Sequence, residues 1–377
     1  MAEKRTSIHG QWTNRTVFIM AATGSAVGLG NIWKFPYITG EHGGGTFVLV
    51  YLLCIALIGI PIMMAEIMMG RRGKQSPINT MLALTKDERR NPSWVWLGWM
   101  GVVAGFLILS YYSVIAGWAM SYVFRTGSGM FLGVTADGAN RIFADLVSDP
   151  ERLLAWHTIF MLVTMIVVAR GVKNGLEKVV TFLMPLLFVL LIIIVMYAMT
   201  TGYFMEGIRF LFTPGTIDRD GVLIAMGHAF FTLSLGMGAI MVYGSYLSEE
   251  YSIAQASILI ALADTAVALL AGMAIFPIVF ANGLEPDAGP GLIFQILPIA
   301  FGHMQGGTLV GVVFFILLLF AAWTSAISLI EPAVAYLVEN KGVNRIYASV
   351  WIGGLTWFVG LGTICLLYTS PSPRDRS

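Results

Sequence analysis

Gly24, Gly28 and Gly30 fall within seven positions of one another, and the amide of Asn31 follows directly, all in the middle of the apolar run 16–40. That run is long enough to cross a bilayer, for which about 20 residues suffice. Each glycine costs a helix interior roughly 1 kcal/mol relative to alanine, so three of them at mid-membrane depth predict a break. Broken backbone survives there only where its N–H and C=O groups are met by protein or a wet cavity. The chemistry on offer is ion and zwitterion binding, with freed carbonyls for a cation and freed N–H groups for an anion. Gly24 and Gly28 also form GxxxG, which brings helices close with no ligand at all, and this run alone does not separate the two readings.

Residues 221–248 repeat the peculiarity, with Thr232, Ser234, Gly236 and Gly238 at the centre of GVLIAMGHAFFTLSLGMGAIMVYGSYLS. Two glycine-interrupted spans five apart are the sequence sign of a transporter built from inverted repeats, with its site at the midplane. One broken helix is explained by packing; two in corresponding positions point to a site.

The elements that must hold these breaks follow from composition. Hydrophobic residues make up 57% of the chain and charged ones 11%, against about 25% charged in a soluble domain, and the mean hydropathy is +0.79. This reads as an all-α polytopic membrane protein in contact with the lipid bilayer. A formal net charge of +1 argues against a nucleic-acid partner. Cys54 and Cys365 both lie in apolar runs, so neither a disulfide framework nor a metal cluster is indicated. The polar start MAEKRTSIHGQW and the length of the first apolar run do not fit a cleavable signal peptide.

Hydropathy places further spans near 44–69, 97–124, 154–170, 178–201, 221–247, 253–281, 307–338 and 346–367, nine in all. With the amino terminus inside, fourteen Lys and Arg fall in cytoplasmic connections and six outside, so the positive-inside rule orients the N-terminus to the cytoplasm and predicts a multi-pass protein of the cell's inner (plasma) membrane. Two outer connections are long, 125–153 and 281–306. The second contains PGLIFQILPIAF, too short to span, read as a re-entrant or capping hairpin or else as an amphipathic surface loop. Residues 368–377 switch to a polar, low-complexity string, read as a non-native tail that cuts the chain short.

GSAVGLGNIWKFPY in the first span and FFTLSLGMGAI in the sixth closely resemble the neurotransmitter:sodium symporter family, whose bacterial members have the LeuT-like fold. PIMMAEIMMGR, SYYSVIAGW and FAAWTSAISLIEP add three more motifs in family order, so the resemblance covers roughly residues 12–366. It implies a cytoplasmic segment 1–15, a first five-helix repeat over 16–201, and a second, inverted repeat over 221–367 that has four helices and is incomplete. Helices 1 and 6 would be unwound at mid-membrane.

The resemblance also implies a sodium-coupled amino-acid symporter. Substrate contacts carry over to Ser25, Ala26, Leu29, Gly30, Ile108, Tyr112, Phe231, Thr232, Ser234, Met237, Ser325 and Leu329. N–H groups at Leu29 and Gly30 and the Tyr112 hydroxyl would meet the carboxylate, with Tyr111 the confounding neighbour; carbonyls at Ala26, Phe231, Thr232 and Ser234 would meet the ammonium. Sodium wants hard oxygens without a large charge penalty. A first ion would sit among Ala26, Asn31, Thr232 and Asp264, and a second among Gly24, Val27, Ala321, Thr324 and Ser325. Unaided, Thr324 and Ser325 read as hydroxyls bonded back to i−4 carbonyls.

Asp264 departs from chloride-dependent members, which carry asparagine there and glutamine and serine where this chain has His228 and Ala268. A carboxylate inside the membrane has a role or a cation, and here it would supply the negative charge that chloride supplies elsewhere, so no chloride is expected. His228, one turn before Thr232, would then titrate near Asp264, or else sit neutral and hydrogen-bonded in the interior. Met237 and its flanking glycines leave room for a bulky guest, which favours a hydrophobic or aromatic amino acid over a small neutral one.

For the gates, Phe231 and Tyr112 would lid the substrate, and Lys34 matches the outer ion pair, its acidic partner falling in a tenth helix beyond the last span. Inside, Trp12, Tyr246 and Glu339 match the cytoplasmic gate; His9 stands where arginine is common, with Arg5 as its substitute. Glu66 reads by itself as a snorkelling interfacial glutamate, and by resemblance as a carboxylate bracing the unwound segments. The competing readings are a sodium-dependent membrane receptor or subunit without transport, a channel, and a membrane enzyme. No HExxH, GxSxG or Walker motif supports the last, and no enzymatic activity is expected.

Overall fold

The computed structural model describes residues 5–285 and 291–369. Lys4 of the charge count, residues 286–290 of the second long connection and residues 370–377 of the expected tail lie outside the described residues.

The first span is broken as its glycines require. Helix α1 (Arg15–Ala26) and helix α2 (Gly30–Glu41) meet at an angle of 51°. Asn14 caps α1 by accepting from the Val17 N–H, one of the orphan donors of a helix start. The chain continues through α3 (Gly45–Gly73), the short α4 (Pro77–Asp87), α5 (Pro92–Gly127), the connecting α6 (Ala136–Val147), α7 (Pro150–Ala169) and α8 (Val172–Met199). After α9 (Phe204–Phe212) the sixth span falls into α10 (Arg219–Thr232) and α11 (Ala239–Ser245). Then come α12 (Ile253–Ala281), α13 (Leu292–His303), α14 (Gly307–Lys341) and α15 (Arg345–Thr369). The ninth span thus runs two residues past the expected boundary at 367.

Six residues separate α10 from α11, and three of them hold left-handed backbone: Ser234 at φ 53°, Gly236 at 75° and Gly238 at 74°. For a residue with a Cβ that conformation costs of order 1–3 kcal/mol, so Ser234 must be held by its surroundings. Its N–H donates to the Phe231 carbonyl at 3.1 Å and its hydroxyl to the Ser25 carbonyl at 2.8 Å, which ties the second break to the first.

Helices α5, α7, α14 and α15 pack on one another as one unit, while α11 packs along α3 and α1 lies against α8, α12 and α14. The α3–α11 approach depends on glycine: a Cβ at Gly70 would come 1.9 Å from the Met241 carbonyl oxygen. Among the described residues of the second long connection, the apolar stretch expected to form a re-entrant or capping hairpin or a surface loop holds one helix, α13. Its Leu292, Ile293 and Phe294 are buried. Phe294 meets Trp33, Trp118 and Tyr122 edge-on, and its carbonyl accepts from the Tyr122 hydroxyl at 2.8 Å. Aromatic packing of this kind, with a polar handle satisfied, makes it a cap.

Candidate functional site between the two breaks

A small cavity lies between the breaks, lined by Ser25, Ala26, Gly28, Leu29, Gly30, Ile108, Tyr112, Phe231, Ser234, Met237, Ser325 and Leu329. Eleven of the twelve expected contact residues are among them. The twelfth, Thr232, is buried and turns its hydroxyl away to Asp264. Gly28 lines the cavity unforeseen, although it stood inside the motif: a Cβ there would come 2.5 Å from Ser325 Oγ and 2.9 Å from the Tyr112 hydroxyl. The Phe231 carbonyl, expected to be free, accepts from the Ser234 N–H.

The ambiguity between the two tyrosines resolves on exposure. Tyr112 is 4% exposed and lines the cavity, whereas Tyr111 is 40% exposed and lines a wider vestibule beyond it. Tyr112 and Phe231 border both spaces and so separate them. The Tyr112 hydroxyl accepts from the Leu29 N–H at 3.2 Å, which sets it at the half-helix N-terminus, where an anion is favoured.

Two clusters of hard oxygens flank the cavity. In the first, Asn31, Thr232 and the fully buried Asp264 are joined by hydrogen bonds of 2.8–3.2 Å. In the second, the Thr324 hydroxyl donates to the Ala321 carbonyl at 3.1 Å, and the Ser325 hydroxyl to the Val27 carbonyl at 3.1 Å, with Gly24 packed against Thr324. Thr324 also back-bonds to the Phe320 carbonyl, as an isolated hydroxyl would, but Ser325 reaches across to the first break instead. No cluster of three His, Cys, Asp or Glu occurs among the described residues. The sites suit a monovalent ion held by carbonyl, hydroxyl and amide groups with one carboxylate.

Glu66 is 6% exposed and so does not snorkel; its Oε1 accepts the Gly236 N–H at 2.7 Å and holds the second break. At the face carrying the amino terminus, the Trp12 indole donates to the Tyr243 carbonyl at 3.0 Å and its backbone N–H to the Tyr246 carbonyl at 3.1 Å. His9 Nε2 lies 3.1 Å from Glu339 Oε1, and Glu339 also accepts from Ser76 and Asn79.

Residues 9–130 and 148–368 match the Sodium:neurotransmitter symporter family. The chain belongs to that family. It is 41% identical to the sodium-dependent transporter YhdH of Bacillus subtilis, over 95% of this chain and 79% of the relative. A sodium-dependent transporter of Haemophilus influenzae is 36% identical, over 89% and 75%. The crystal structure of MhsT in complex with L-phenylalanine superposes with a TM-score of 0.86 at 43% identity, covering 97% of this chain and 85% of that one. The fold is therefore the LeuT fold of sodium-coupled transporters.

Against the family pattern, several expected gate partners are replaced. Arg5 does not substitute at Glu339: it forms a two-pronged pair with Asp87 at 2.8 and 2.9 Å, and His9 itself faces Glu339. Tyr246 donates to Glu331 at 2.7 Å and not to Glu339, and Glu331, fully buried, pairs with Arg345. Glu331 was legible as a lone carboxylate within an apolar helix, but nothing near it in sequence named its partners. Lys34 stands over the Phe231 ring at 5.2 Å. His228 is 1% exposed with neither ring nitrogen hydrogen-bonded to a described residue, unlike the hydrogen-bonded interior histidine expected; it packs against Phe35 and Tyr51, which also touch each other.

Proposed function

We propose that this protein is a chloride-independent sodium:amino-acid symporter for hydrophobic or aromatic substrates, binding two sodium ions and working by alternating access. The observation that carries this is one cavity walled by both helix breaks, with a phenol donor at one side, apolar Ile108, Met237 and Leu329 elsewhere, and an oxygen cluster on each flank. The amino-acid carboxylate would meet Tyr112, and its ammonium the carbonyl-rich break segments. Ions on the two clusters would draw α1, α10 and α14 together around the guest, so binding of ion and substrate would be coupled by mass action on the same closed state. Asp264, within the first cluster, would supply the negative charge that meets the ion there, which makes a mobile anion unnecessary. The breadth of the guest follows from the flexible Met237 thioether between Gly236 and Gly238, and MhsT, crystallised with L-phenylalanine, is the structural neighbour that supports it.

We further place the protein in the inner membrane with a cytoplasmic amino terminus, from the bias of basic residues, and assign it no covalent chemistry. Equilibrium binding on the purified protein tests the reading. A panel running from glycine and alanine through leucine to phenylalanine and tryptophan should show saturable binding in NaCl and in sodium gluconate, strongest for the large apolar members. Binding should be absent in potassium salts. Sodium-independent binding, or a preference for glycine and alanine, contradicts the respective part.

A further inference from the structure

The cavity contains three serines, and the proton of each is already committed to the protein. Ser234 Oγ donates to the Ser25 carbonyl at 2.8 Å, and Ser325 Oγ to the Val27 carbonyl at 3.1 Å and the Ser25 carbonyl at 3.2 Å. Carbonyls only accept, so the direction of these bonds is fixed. Ser25 Oγ lies 2.8 Å from Ser328 Oγ, a contact between two hydroxyls that could run either way. Its direction is set one step further on: Ser328 Oγ donates to the Ser325 carbonyl at 2.8 Å, which uses its single proton. Ser25 must therefore donate to Ser328 and keep only lone pairs for the cavity. Ser328 itself is fully buried and does not line the cavity.

We propose that Ser328 is a positioning residue for substrate binding: by taking the Ser25 proton it fixes Ser25 as an acceptor for the amino-acid ammonium. The inference deepens the symporter reading and rests on it. Neighbouring Ser234 offers lone pairs as well, so the break segments present acceptors to one end of the guest and the Tyr112 hydroxyl lies at the other, by the Leu29 N–H. That polarity matches one orientation of a zwitterion and opposes the other. Without Ser328 the Ser25 hydroxyl is free to turn its proton toward the cavity, where it faces the cationic end of the guest.

The test is a double-mutant cycle on the full protein in detergent or proteoliposomes, reading both amino-acid and sodium affinity. Ser328→Ala should weaken amino-acid binding by roughly tenfold or more, the range of a hydrogen bond to a charged group. The loss should be similar for leucine, phenylalanine and tryptophan, with sodium affinity unchanged. Ser25→Ala should weaken binding too, and adding Ser328→Ala to it should cost nothing further, because Ser328 acts only through Ser25. Additive losses, a loss confined to one side chain, or an unaffected Ser328→Ala overturn the proposal. If the unsubstituted protein binds no amino acid in sodium, it is the symporter reading that fails.

Discussion

The Asn31 amide and the Asp264 carboxylate face each other beside the first break. Asn31 Nδ2 donates to Asp264 Oδ1 at 2.8 Å and to the Asp264 carbonyl at 3.1 Å, while Asn31 Oδ1 accepts from the Gly28 N–H at 3.0 Å. One amide thus links the loosened backbone of the first span to a carboxylate on α12, with Thr232 of α10 on the far side at 3.1–3.2 Å. A charge at that depth is expensive unless a cation meets it.

Removing the charge while keeping the shape should therefore reduce cation affinity. Asp264→Asn is expected to weaken sodium activation of substrate binding by about tenfold, equivalent to roughly 1.4 kcal/mol, with the fold intact. Replacing chloride by gluconate should leave the unsubstituted protein unaffected. Sodium titrations of substrate binding check both; an unchanged sodium midpoint in Asp264→Asn would exclude Asp264 from the ion site.

Glu66 holds the second break through the Gly236 N–H. Glu66→Gln keeps an acceptor in place and should retain most of the thermal stability. Glu66→Ala leaves a buried N–H unpaired, a cost of about 1–3 kcal/mol, and should lower both the melting temperature and the amino-acid affinity. Melting curves with and without sodium check the order Glu, Gln, Ala; equal values for Gln and Ala would mean that the bond to Gly236 is dispensable.

At the amino-terminal face, His9 and Glu339 close the strap that Trp12 anchors. A guanidinium at position 9 carries a permanent charge and offers more donors than imidazole. His9→Arg should hold that face shut more of the time, and Glu339→Gln should release it. Alkylation of a cysteine placed at Ala26 by a membrane-impermeant reagent, added from that face, should slow in the first variant and quicken in the second. The reverse order would remove this pair from the gate.

The Arg5–Asp87 pair lies further out, and the Arg5 guanidinium holds the Asp87 carboxyl below its ordinary range. Such a group stabilises the strap above the unfolded carboxylate pKa, about 3.9, and loses that contribution as pH falls through the lower folded value. Limited proteolysis within residues 5–12 should therefore accelerate on acidification below about pH 4, and Arg5→Gln should show the faster rate already at neutral pH. An identical profile for both proteins would assign the strap to Trp12 and His9 alone.

What the sequence disclosed and what it hid divide along a physical line. The breaks were legible because glycine density at membrane depth is a local cost, and Gly236 and Gly238 do take left-handed backbone. The cavity residues came with the motifs around those breaks. Pairings between distant side chains were not legible: Tyr246 meets Glu331, 85 residues away, and Arg5 meets Asp87, 82 away, and no periodicity encodes such choices. His228 hid for a related reason, since packing against Phe35 and Tyr51 leaves its nitrogens without the hydrogen bond, among the described residues, that an interior histidine is expected to have. Ser328 was concealed by being ordinary; its part emerges only when the direction of each hydroxyl bond is traced.

Uptake into proteoliposomes under an imposed gradient asks directly whether the two breaks couple an amino acid to sodium. With sodium gluconate outside and potassium gluconate inside, labelled phenylalanine should accumulate above its external concentration and leak back when gramicidin dissipates the gradient. Equal uptake with potassium on both sides, or entry that never exceeds equilibration, would contradict the account.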